Sequence, residues 1–219
     1  MHQIIYPDLE GRHSEYLEKY ILNICEQHKK EKRALAFAFI VSDLDDPQIT
    51  KILRDDDYIN ALHSISGKYL TVFYLNDNYV KKTIEKATVS NIMRIELGMQ
   101  KINAPQNFSP KYLAQNLLNK KNLPTPSILF FQVKDNLITD YTFAQLRENK
   151  IEDGFVEMKE IIKTAINSFN NVLEEYRNNS DELFNLLKQS IKSSEFWKNA
   201  HSKFDSLVKI KDFLLFWKI

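Results

Sequence analysis

The chain has 219 residues, enough for one substantial hydrophobic core with a helical appendage. Its 30 basic and 29 acidic residues leave a net charge of +1, so no global field draws it to phosphate backbones or anionic lipid, and neither nucleic acid nor membrane is an expected partner. Four glycines, scattered at Gly11, Gly67, Gly98 and Gly154, cannot assemble a glycine-rich dinucleotide fingerprint or phosphate loop, and the one cysteine, Cys25, cannot form an intramolecular dithiol.

In chain order, Met1 to Asp8 lacks the basic start and apolar stretch of a secretory signal. The apolar runs stop well short of the roughly twenty residues that span a bilayer, so a cytoplasmic location is expected. Between Ser14 and Lys32, the residues Tyr16, Leu17, Tyr20, Ile21, Ile24 and Cys25 share one face at helical spacing. Cys25 is read there as a small packing residue rather than a reactive thiol. Ala34 to Val41 is a continuous apolar run, the pattern of a strand buried on both faces. Asp46-Pro47 supplies an N-cap followed by proline at the first helical position. The apolar face of Ile49, Ile52, Leu53, Ile59, Leu62 and Ile65 then predicts a single second helix ending near Gly67, with the acidic run Asp55 to Asp57 on its solvated face.

Tyr69 to Leu75 is rich in aromatic and β-branched residues and reads as a second strand. A polar, mostly helical stretch follows, in which Ser109-Pro110 opens a short helix through Leu118. Leu123-Pro124-Thr125-Pro126 leads into the strand-like run Ile128 to Val133. Turn-forming residues up to Asn136 separate that run from Leu137 to Phe143, which predicts an antiparallel hairpin. From Asp153 an apolar stripe at helical spacing runs to Leu173. Beyond a break at Asn178 to Ser180 the pattern is helical and dense in aromatic residues, a surface that must be covered by something. The expected division is an α/β domain over residues 1–177 and a C-terminal helical extension over 178–219.

Over roughly residues 14 to 175 this order of elements resembles the thioredoxin superfamily, and Leu123 to Phe131 carries the most specific likeness. The resemblance implies a mixed sheet flanked by helices. It also implies a cis bond between Thr125 and Pro126, immediately before the strand that starts the terminal hairpin. The redox cysteine pair of the family would stand where this chain has Ser42, Asp43, Asp45, Asp46 and Pro47, and both cysteines are missing there. The expectation is therefore a non-catalytic binding or assembly module without a cofactor. Its partner would be another protein or a second copy, engaged through Phe196, Trp197, Phe204, Phe213, Phe216 and Trp217. A composition rich in Lys, Asn and Ile is common in components of bacterial multi-protein systems and adds that setting by association.

Asp43-Leu44-Asp45 after an apolar strand is also similar to the opening of haloacid-dehalogenase-like phosphotransferases, in which clustered carboxylates hold magnesium. A metal-dependent hydrolase or phosphotransferase using Asp43 and Asp45 is the alternative. The following Asp46-Pro47 departs from that pattern, and capping explains the aspartates more simply. Asp46 caps the helix, while Asp43 and Asp45 gain about 0.3–1 kcal/mol each from its positive end. The histidines at 2, 13, 28, 63 and 201 show no metal-ligand spacing, so no metal is expected. Lys29 to Arg33 is a basic cluster that complements a helix C-terminus.

Overall fold

The computed structural model describes residues 1–4, 13–43, 46–66, 69–75, 109–147, 150–170 and 179–194. The elements follow in the order β1 (His2–Ile4), α1 (His13–Lys30), β2 (Ala36–Val41), α2 (Pro47–Arg54), α3 (Asp56–Ile65), β3 (Leu70–Leu75), α4 (Pro110–Leu118), β4 (Ser127–Lys134), β5 (Leu137–Gln145) and α5 (Ile151–Asn170). A further helix, α6, covers 180–194. The described strands form a five-stranded mixed sheet in the order β1-β3-β2-β4-β5. β3 is parallel to β1 and β2, whereas β4 is antiparallel to β2 and β5. No described helix is long and apolar enough to cross a membrane.

Side-chain alternation along the strands builds a core on each face of the sheet. Ala36, Ala38 and Ile40 of β2 join one cluster, together with Val72 and Phe130 of the neighbouring strands. The helices α2, α3, α5 and α6 cover that face through Ile52, Leu62, Ile162 and Phe184 among others. Phe37, Phe39 and Val41 point the other way, where α1 and α4 bring Leu17, Ile21, Cys25 and Leu113. On this second face Phe37, Phe73 and Phe131 from three adjacent strands pack with ring centroids 6.3, 5.8 and 6.4 Å apart. Full burial of each ring contributes about 1.5–3 kcal/mol, so this trio is a main anchor of α1 on the sheet. The continuous apolar run of β2 thus has its cause in being covered on both sides.

The predicted single second helix is two helices. At Asp55 the backbone turns extended, with φ −85° and ψ 115°. Its N–H closes the last turn of α2 on the Lys51 carbonyl at 3.2 Å. Its carboxylate accepts the Asp57 and Tyr58 N–H groups at 2.9 and 3.3 Å, capping α3. Asp55 is therefore a joint between two helices, while the acidic run Asp55 to Asp57 is exposed along its whole length, as expected of a solvated face. A short carboxylate that can bond the backbone two and three residues ahead competes with helix continuation. The apolar spacing hid the joint because α2 and α3 both pack on α5.

β1 was not anticipated, because three residues are too few to show a period. The hairpin forms with Asp135 and Asn136 at φ 54° and 59°. This is the mirror-image two-residue turn that suits strand twist, occupied by residue types that tolerate the left-handed region. The start of the predicted C-terminal extension belongs to the sheet's core: Leu183, Phe184, Leu187 and Ile191 of α6 are buried with the α5 residues Ile162, Ala165 and Phe169. Phe196, Trp197, Phe204, Phe213, Phe216 and Trp217 lie outside the described residues.

Candidate functional site

Ligand sites of open α/β sheets gather beyond the carboxyl ends of parallel strands. The carboxyl end of β2 continues into Ser42 and Asp43, and α2 starts at Pro47. Because β4 runs antiparallel to β2, its first residue, Ser127, pairs with Val41. That register carries Thr125 and Pro126 to the same end of the sheet. The Thr125-Pro126 bond is cis. Ser127, fully buried, donates its hydroxyl to the Pro124 carbonyl at 2.7 Å, and the Pro126 carbonyl accepts the Leu146 N–H at 3.0 Å. The turn before β4 is fixed on both sides.

Asp43 ties the two chain segments together. Its Oδ2 accepts the Thr125 hydroxyl at 2.8 Å. Lys111, in the first turn of α4, places its ammonium 3.1 Å from Oδ1 and 3.2 Å from Oδ2. The Lys111 N–H also donates to the Ser42 carbonyl at 3.2 Å. α4 is in turn set by Ser109, whose hydroxyl accepts the Tyr112 N–H at 3.0 Å, and by Pro110 at its first position. Thus three segments far apart in sequence converge on one carboxylate. The Lys111 and Asp43 side chains are 33% and 43% exposed, so the ion pair itself is worth at most about 1 kcal/mol.

Asp46 acts as the sequence pattern predicts, accepting the Gln48 and Ile49 N–H groups on Oδ1 at 3.1 and 3.0 Å. Its own N–H donates to the Asp43 carbonyl at 3.2 Å. The aspartates therefore divide their tasks: Asp46 closes α2, and Asp43 reaches away to α4 and the turn before β4. Asp45 lies outside the described residues. Among the described residues no group of three or more His, Cys, Asp or Glu side chains is arranged to hold a metal ion. A divalent cation at Asp43 would have to displace the Lys111 ammonium.

Lys111 is the member of this site that sequence reading missed. Ser109-Pro110 marks the helix start, but nothing local indicates a partner 68 positions away. Cys25 sits elsewhere, fully buried against the α1 face of the sheet. Burial pushes its thiol far above the ordinary range, an effect that Glu26 reinforces, so the reactive thiolate is suppressed. A depression of about 430 Å³ lies between α1 and the hairpin turn, lined by Asn23, Glu26, Gln27, Lys30, Asp135 and Asn136. All of these but Glu26 are exposed, and no buried polar group converges there, so the Asp43 site is the better candidate on chemical grounds. No family model, curated protein or solved structure matches this chain.

Proposed function

We propose that the chain is a non-redox, thioredoxin-like module that binds protein. The observation that carries this reading is the chemistry at Asp43. The place where the resemblance implies a cysteine pair holds a carboxylate already bonded to Lys111 and Thr125. A carboxylate engaged by both an ammonium and a hydroxyl suits bracing the loop after β2, which supports a binding role over turnover of a substrate. The strand order β1-β3-β2-β4-β5, with its mixed directions, supports the thioredoxin-like assignment. So does the meeting of the turn before β4 with the residues after β2.

The binding surface proposed is the aromatic C-terminal sequence, with another protein or a second copy as partner and assembly of several proteins as its setting. The apolar side chains Leu183, Phe184, Leu187 and Ile191 are buried within the chain's own core. Partner binding therefore falls to the residues after 194, which include Phe196, Trp197, Phe204, Phe213, Phe216 and Trp217. Light scattering on the full chain and on a version ending at Ser194 tests this. Self-association of the full chain that disappears on truncation is the expected result. Two monomers of equal behaviour would remove the homo-oligomer form of the proposal, and binding would then have to be sought with a second protein.

A further inference from the structure

We propose that His2 and His28 form an acid-sensitive latch that holds the edge strand β1 on the sheet at neutral pH and releases it when both rings become charged. β1 is held by a short parallel register, His2 to Phe73, Gln3 to Tyr74 and Ile4 to Leu75, at one edge of the sheet. So short an edge strand depends on the side chains that flank its ladder. The His2 ring meets the Phe73 ring edge-on at 5.6 Å and the His28 ring edge-on at 6.1 Å. His28 stands in the last turn of α1, only 8% exposed, with its Nδ1 2.9 Å from the Thr71 hydroxyl of β3. The latch thus spans α1, β1 and β3. As neutral rings the two histidines pack like other aromatic groups. As imidazolium ions they would bring two positive charges together beside a third, the Arg33 guanidinium.

The charged groups facing the pair are unbalanced in sign. His2 faces Arg33 and the Met1 amine, which is itself bonded to the His63 ring of α3 and to the Ser66 hydroxyl. Both cations disfavour protonation of His2, after burial as the largest cause. His28 is held down first by burial, then by Arg33 and His2, with Glu31 the opposing charge. Glu31 is engaged by Gln27 at 2.8 Å and by Arg33 at 3.3 Å. Both imidazoles therefore have lowered pKa values in the folded chain. A group with a lowered folded pKa that must charge contributes no penalty above its unfolded value, near 6.5. It weakens the folded contact as pH falls below that value. Acid release is the direction that follows.

Hydrogen–deuterium exchange on the full chain at about pH 7.5 and about pH 5.5, corrected for the intrinsic rate, reads the latch directly. Exchange in β1 and β3 is expected to rise about tenfold relative to the β4–β5 hairpin on acidification. The variant carrying His2→Gln and His28→Gln, which retains amides able to bond Thr71, should lose that pH dependence. An acid response that persists in the variant, or none in the parent chain, would overturn the latch. If the variant does not fold, NMR titration of the two rings in the parent chain decides. Both midpoints below that of free histidine, with β1 amides shifting over the same range, support it, and midpoints at or above the free value refute it.

Discussion

Thr125 and Asp43, 82 positions apart in sequence, meet through a 2.8 Å hydrogen bond that the threonine hydroxyl donates to the carboxylate. The same carboxylate holds Lys111, so removal of Asp43 leaves two donors without their acceptor. Asp43→Ala is expected to lower stability by about 1–2 kcal/mol, and Thr125→Val by about 1 kcal/mol. Lys111→Met, which deletes only the half-exposed ion pair, should stay within about 1 kcal/mol. Urea unfolding of the singles and of the Asp43/Thr125 double variant checks the link, with a coupling of at least about 0.5 kcal/mol expected. Strict additivity would mean that the hydrogen bond contributes nothing.

Asp55 joins α2 to α3 by bonding the backbone in both directions. Asp55→Ala should cost about 0.5–2 kcal/mol, the range for loss of an N-cap. Asp56→Ala and Asp57→Ala, at exposed first-turn positions, should change stability by no more than about 0.5 kcal/mol. Three equal thermal shifts would show that the chain runs through this point as one helix.

Gln132 of β4 is 3% exposed, and its Nε2 has no hydrogen-bond partner among the described residues. It lies opposite Asp140, whose carboxylate pairs with Lys188 of α6. An orphaned buried amide destabilises the fold, so Gln132→Met, of similar shape, is expected to raise stability by about 1 kcal/mol. Calorimetry on the two proteins measures the change. A loss of the same size would reveal a partner, such as a trapped water, that the amide serves.

Phe184 is fully buried on the face of the sheet shared with Phe169 and Ile162. Phe184→Ala should therefore cost about 3–5 kcal/mol, a core-sized penalty. A chain ending at Asn179, lacking all of α6, should unfold at markedly lower temperature than one ending at Ser194. Equal melting of the two truncated chains would place α6 outside the core.

Much of the architecture was legible because it is written at short range. The two-sided apolar run of β2, the Asp46-Pro47 and Ser109-Pro110 helix starts and the Asp135-Asn136 turn each rest on residues within a few positions of one another. β1 escaped because its partner strand, not its own sequence, makes it a strand. The joint at Asp55 escaped because the apolar period on both sides continues across it. Its cue, a carboxylate able to cap, looks the same in sequence whether it faces water or the backbone.

The sequence by itself determined that there is no intramolecular dithiol, that α/β elements alternate in a set order, and that Asp46 caps a helix. Composition excludes the first, and local hydrogen bonding and hydrophobic periodicity govern the rest. Only the tertiary structure decided that Asp43 turns from the helix it precedes to Lys111 and Thr125, that α6 is core, and that His2 meets His28. Those contacts depend on strand order and register, which bring distant segments to one end or edge of the sheet. No local pattern encodes which carboxylate, ring or helix will be waiting there.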